Sequence, residues 1–275
     1  MTDRSPDASS PAVLIGEGPV LLDFAEGVAT LTLNRPEVSN GMSLDFMEAL
    51  HGAVLQCHRH PGVRVVHLRG AGPNFCAGGD VGEFASKGEK LGDFMKPVTA
   101  VLQAAVALLI RLDAVVVAEV QGYAAGGGGL GLVCASDIVI AGEGAKFLGG
   151  ATRVGMVPDA GATVILPHLV GFRRAMDIVL TNRVLDAAEA RDIGLITRVV
   201  PDAALVGEAL TTVRRLAAGA PLALAASKRL LWDALGVERA LPEEARMQCV
   251  LAATADAREG LAAVIAKRKP VFQGR

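Results

Sequence analysis

The sequence predicts an α/β protein, with a core of alternating strands and helices followed by a helical C-terminal region. Three observations carry that expectation. Short β-branched runs alternate with segments of helical periodicity up to about residue 200, and strand signals cease at Pro201. The 275 residues are 51% hydrophobic but only 4% aromatic, so Ala, Val, Leu and Gly supply the core and must pack closely in stacked layers. The expected organisation is a disordered tail over residues 1–14, a core over 15–200 and a helical region over 201–275.

The elements follow in order. Residues 1–11 are polar and rich in Ser, Asp and Pro, which reads as a tail and not as a secretion signal. Residues 28–33 alternate β-branched or apolar residues with smaller ones and stop at Asn34-Arg35-Pro36-Glu37, a strand meeting a turn. Ser43 is an expected N-cap, because Leu44, Met47, Leu50, Val54 and Cys57 then recur at helical spacing until Pro61-Gly62. Strands are expected over 63–69 and 114–120, each emptying into a glycine-rich loop, with a helix over 92–112 between them. Pro97 is expected near the first turn of that helix, where its missing N–H is tolerated. A short strand over 138–141 precedes helices over 203–218, 221–235 and 242–267.

Composition narrows the function. Lys and Arg number 27 against 29 Asp and Glu, for a net charge of −2, and the one basic run is the short Lys267-Arg268-Lys269. That gives no electrostatic footprint for nucleic acid. Cys57, Cys76, Cys134 and Cys249 lie far apart among apolar or small neighbours, which suits free thiols in a reducing compartment better than a metal site or a disulfide framework. The longest apolar stretch, 98–110, is interrupted by Gln103 and falls short of the roughly 20 residues of a bilayer span. A soluble, cytoplasmic protein without a membrane span is expected.

Two loops stand out: Phe75-Cys76-Ala77-Gly78-Gly79-Asp80, and the run from Gly122 to Gly131 containing Gly126, Gly127, Gly128 and Gly129. Glycine lets backbone N–H groups turn toward a ligand with no Cβ in the way. If the loops meet, they donate two hydrogen bonds to one oxygen, and a helix starting after the second adds its positive end. Two other accounts stay open. Each loop could be a tight turn only, or Gly126, Gly128 and Gly131 with Glu143 could form a dinucleotide fingerprint. Against the latter, only about two helical turns fit before the next strand, short for a crossover helix.

Leu33-Asn34-Arg35-Pro36-Glu37 with Asn40, and then Phe75-Cys76-Ala77-Gly78-Gly79-Asp80, resemble the first two signatures of the crotonase (enoyl-CoA hydratase/isomerase) superfamily. The glycine loop with Asp137-Ile138-Val139-Ile140-Ala141 is similar to the third, and the segment from Gly155 to Thr163 to the fourth. Glu259-Gly260 and the run from Lys267 to Phe272 are similar to the family's ending. The resemblance implies a spiral of ββα units over the core, a C-terminal α-helical trimerisation region, an acyl-CoA substrate, and a trimer or dimer of trimers. It implies no metal and no cofactor beyond the coenzyme A moiety of the substrate.

Carried over residue by residue, it implies oxyanion donors at the N–H groups of Gly79 and Gly127. Gly128 is the alternative, because the stretch from Gly122 to Asp137 holds one residue more than usual. It implies coenzyme A contacts from Arg35, Ala77, Gly78 and Lys267, with Val38 where a cation is often found. The family's two hydratase carboxylates fall on Leu130 or Gly131 and on Ala151, which cannot hold water or move a proton. Asp159 matches the acid/base position of isomerase branches.

A lone carboxylate suits a 1,3-proton shift, since one group removes a proton and returns it elsewhere while the enolate is held. Asp159 could instead only cap the helix expected to begin at Ala160. The three expectations are an isomerase, a weak hydratase or other enolate chemistry on acyl-CoA, and a non-catalytic acyl-CoA-binding homologue. His51, His58 and His60 read as surface residues, His67 as a satisfied core histidine, and Glu83 as a solvated residue unless it reaches the acyl pocket.

Overall fold

Glu26 and Gly27 both take positive φ, 49° and 82°. Two such residues in succession form the tight turn that matches the twist of the flanking strands. The computed structural model describes residues 11–273, and in it this turn joins β2 (Val20–Ala25) to β3 (Val28–Leu33). Antiparallel to β2 on its other side runs β1 (Ala12–Ile15). The tail expected to reach residue 14 therefore meets a paired strand from Ala12, while residues 1–10 lie outside the described residues. Along β3, Ala29, Leu31 and Leu33 are buried and the intervening residues half-buried, the period of two that alternation in the sequence implies.

Ser43 caps α1 (Leu44–Arg59), its hydroxyl accepting from Phe46 N at 3.2 Å. The chain then lays β4 (Val65–Gly70) parallel to β3, and Asp80 caps α2 (Val81–Ser86). α3 (Leu91–Arg111) leads to β5 (Val115–Val120), parallel to β4. Pro97 sits inside α3, well past its first turn. By length and composition the segment Gly88–Arg111 could cross a bilayer, but in this fold it packs between helices.

β6 (Tyr123–Ala125) runs straight into α4 (Gly126–Cys134), which is short as expected and ends before β7 (Ile138–Gly142). β8 (Lys146–Leu148), α5 (Ala162–Val170), α6 (Phe172–Thr181), β9 (Leu185–Asp186), α7 (Ala187–Asp192) and β10 (Arg198–Val200) complete the core. The main sheet has the order β1-β2-β3-β4-β5-β7-β10, parallel from β3 onward, and β6-β8-β9 form a second small sheet.

The helical region comprises α8 (Leu205–Ala217), α9 (Pro221–Asp233), α10 (Val237–Ala252) and α11 (Ala255–Ile265). The single helix expected over 242–267 is broken at Thr254, whose hydroxyl accepts from Ala257 N at 3.1 Å and starts α11 afresh. The region packs directly on the core. α8 covers one sheet face with Leu205 and Val213 over Val65, Val115 and Val117. α10 packs on α3 and α5, and α11 on α2 and the turn at Ala151–Val154. α9 is pinned by Lys228 Nζ, which donates to Leu109 O, Ala114 O and Asp137 Oδ2. His67 is satisfied in the core by Glu119 at 2.9 Å.

Candidate active site

The two glycine loops meet. Cys76 and Ala124 form an isolated parallel bridge, with Cys76 N donating to Tyr123 O at 3.0 Å and Ala125 N to Cys76 O at 2.9 Å. Contact this close requires glycine: a Cβ on Gly129 would stand 2.3 Å from Cys76 O, and one on Gly78, at φ +97°, 3.0 Å from Gly126 Cα. The tight-turn account alone is thus too small, because each loop's glycines answer to the other loop. The dinucleotide account fares no better, since Gly131 is used up against Ala160, whose Cβ would be 2.4 Å from an added one.

Above this junction lies a cavity of about 250 Å³, lined by Met42, Met47, Phe84, Met95, Val98 and Leu102 on its apolar side and by Gly79, Gly127 and Asp159 where the loops meet. Among its described lining residues Asp159 is the one carboxylate. Asp159 is only 5% exposed. Burial, and secondly the charge of Glu244, push its carboxyl up to about 7, opposed by its own backbone N–H. Its Oδ1 would stand 2.0 Å from a Cβ on Gly127.

Asp159 does not cap α5. The N-cap position is Gly161, at φ +77°, and the free N–H groups of the first turn are taken by Glu244 of α10. Its carboxylate accepts from Gly161 N at 2.8 Å, from Thr163 N at 2.9 Å and from Thr163 Oγ1. One turn further along α10, Gln248 Oε1 accepts from Val157 N at 3.1 Å and lines the cavity. The loop carrying Asp159 is thus held at both ends from the C-terminal region.

Gly79, Gly127, Asp159 and Ala77 all line the cavity. Gly78 lies behind it, packed on Gly126. Arg35 is turned to Asp80, 3.0 Å away, and to Gly41 O at 2.5 Å, and Lys267 follows the end of α11. Neither belongs to the cavity lining. Gly128 also lines the cavity and packs on Met42, whose Sδ would be 2.3 Å from an added Cβ. Ala151 lines the cavity and Leu130 is buried away from it. Glu83 neither faces solvent alone nor reaches the pocket; it accepts from Leu44 N at 3.1 Å and pairs with Lys87.

Glu244, Gln248 and Arg153, the last at the exposed rim, escaped the sequence reading. The one available signal was the spacing of Glu244 and Gln248, four apart and hence on one helix face. The buried thiols of Cys57, Cys76 and Cys134 are pushed up to about 12 by desolvation and are poor nucleophiles. Among the described residues no three His, Cys, Asp or Glu side chains gather as a metal site.

A sequence model described as enoyl-CoA hydratase/isomerase matches residues 23–275. The chain belongs to the enoyl-CoA hydratase/isomerase family. Within this crotonase superfamily, a probable enoyl-CoA hydratase of Rhodobacter capsulatus is 38% identical, covering 92% of this chain and 97% of that protein. The 1,2-epoxyphenylacetyl-CoA isomerase of Escherichia coli is 34% identical, covering 93% of this chain and 98% of that one. A crystal structure of an enoyl-CoA hydratase from Mycobacterium avium subsp. paratuberculosis superposes with a TM-score of 0.85 at 31% identity, covering 93% and 99% of the two chains. The fold is the crotonase spiral with its C-terminal helical region. Membership supports enoyl-CoA hydratase/isomerase chemistry on an acyl-CoA thioester.

Proposed function

We propose that the protein is an enoyl-CoA isomerase with Asp159 as its acid/base. The observation that carries this reading is a single carboxylate in an apolar cavity, raised to about 7 and set against the Gly127 backbone. In the reaction, the Asp159 carboxylate removes a proton from C2 of a 3-enoyl-CoA. The electron pair moves toward the thioester oxygen, which the N–H groups of Gly79 and Gly127 receive. Asp159 then returns the proton to C4, and the double bond lies between C2 and C3. A group titrating near the working pH does both halves well.

Gly127 is favoured over Gly128 as the second donor because its backbone abuts Asp159, whereas Gly128 packs on Met42. Arg35, Ala77, Gly78 and Lys267 are assigned to the coenzyme A moiety by family resemblance, with Ala77 nearest the cavity. Hydration has the name of several relatives on its side, but Ala151 stands where its second carboxylate would act. The test is a panel of 2-enoyl-, 3-enoyl- and cyclic acyl-CoA thioesters followed by mass and ultraviolet absorbance. Isomerisation changes absorbance at constant mass, hydration adds one water, and an inert acyl-CoA-binding protein changes neither.

Self-association as a trimer or dimer of trimers belongs to the same proposal. Phe172, Met176 and Leu180, at helical spacing, form an exposed stripe on α6, and Leu222, Leu230 and Leu231 are exposed on α9. Apolar surface of this kind is what a partner subunit covers. Light scattering at micromolar concentration tests it, and a monomer would overturn it.

A further inference from the structure

We propose that Glu244 is a positioning residue for Asp159, acting from α10 through the start of α5. The proposal rests on Asp159 being the acid/base, and it adds where the proton affinity and the placement of that group come from. Glu244 is itself buried, and among the described residues its three hydrogen bonds go to Gly161 and Thr163, the residues that follow Asp159 and Ala160. Ala160 and Gly161 both have positive φ, 56° and 77°, so the segment between Asp159 and α5 is bent into a conformation that a non-glycine residue seldom holds unaided. Clamping the N–H groups just beyond that bend fixes the direction in which Asp159 leaves it.

The same carboxylate acts by charge. A second negative group beside Asp159 disfavours its ionised form, in the same direction as burial. Burial also lifts Glu244 above the ordinary carboxylate range, and its three donors oppose that lift and favour ionisation. Among the described residues that line the cavity with Asp159, the turn Ala151–Val154 supplies Arg153 at the rim and α11 supplies the apolar Leu261 and Val264. The Cys134 thiol of α4 is pushed up to about 12 by burial and secondly by the charge of Glu244. α10 adds the neutral Gln248 and the charged Glu244. Glu244 is therefore the anion whose removal Asp159 feels.

The experiment is an infrared pH titration of the full-length wild type, Glu244→Gln and Asp159→Asn, with the Asp159 signal identified as the protonated-carboxyl band lost in Asp159→Asn. In Glu244→Gln the Asp159 midpoint should fall by about half a pH unit or more, a threefold or larger change in proton affinity, while burial keeps it above an ordinary carboxylate. The acid limb of kcat for 3-enoyl-CoA should move by the same amount, with KM little changed. A clamp that were only structural would alter kcat and thermal midpoint but leave the titration in place. An unmoved Asp159 midpoint in folded Glu244→Gln overturns the proposal. Should that variant not fold, Glu244→Met, similar in length and likewise without charge, is read instead: it should lower the Asp159 midpoint in the same way, and an unmoved midpoint again overturns the proposal. A shifted midpoint in a protein that turns over no enoyl thioester would uphold the role of Glu244 and refute the isomerase.

Discussion

Gly127 has no room for a side chain, because Asp159 Oδ1 would stand 2.0 Å from its Cβ. The carboxyl and the glycine backbone therefore form one surface. Gly127→Ala should displace the Asp159 side chain or the start of α4. Loss of a properly placed oxyanion donor typically lowers kcat by about 10²–10³-fold. Steady-state kinetics on a 3-enoyl-CoA, with circular dichroism to establish folding, checks this; a near-wild-type kcat would contradict the contact.

The rate should follow the ionisation of Asp159. Its carboxyl sits at about 7, and the first step requires the carboxylate. Activity should therefore be low at pH 5, rise through about pH 7 and level off above it. A kcat profile with its acid limb near pH 4 would mean that burial does not act on the catalytic group.

The same shift makes a stability prediction of opposite appearance. A carboxyl raised in the folded state adds stability that is fully present below its unfolded value and is lost as pH rises through the folded one. For Asp159 that window runs from roughly 4 to about 7. Asp159→Asn never ionises, so at pH 8 it should be more stable than wild type by about 2–4 kcal/mol, a difference that vanishes near pH 4. Thermal midpoints across this range measure it. An Asn variant less stable at pH 8 would show that Asp159 is held by contacts its charge satisfies.

Away from the cavity, Asp137, in the turn before β7, ties β5 to α9: it accepts from Val116 N at 2.7 Å and Trp232 Nε1 at 2.6 Å, and pairs with Lys228 at 2.9 Å. Desolvation already depresses the Lys228 pKa. Removing its counterion leaves a buried cation unpaired, so Asp137→Ala should cost about 3–5 kcal/mol. Denaturant unfolding checks this, and a loss below about 1 kcal/mol would mean the pair is dispensable.

The sequence made β3, α1 and α3 legible because each buries a stripe whose alternation or helical spacing is local information, and β4 and β5 legible as Val-rich runs buried almost throughout. β6, β8 and β9 were not legible. They are two or three residues long, and their pairing follows from the packing around them. At the site, the glycine loops announced themselves by composition, and Asp159 by resemblance. Local pattern left Asp159 divided between capping and catalysis. What resolves the cap is Glu244, 83 residues away from Gly161, whose hydrogen bonds no local spacing could disclose.

The most direct measurement is turnover of a 3-enoyl-CoA by wild type and Asp159→Asn, with acyl-CoA affinity measured on both. Asn preserves shape and removes the base. The expected result is a 2-enoyl product of unchanged mass from the wild type, with kcat lower by about 10²-fold or more in the variant and affinity retained. An Asn variant turning over at the wild-type rate would contradict the role given to Asp159.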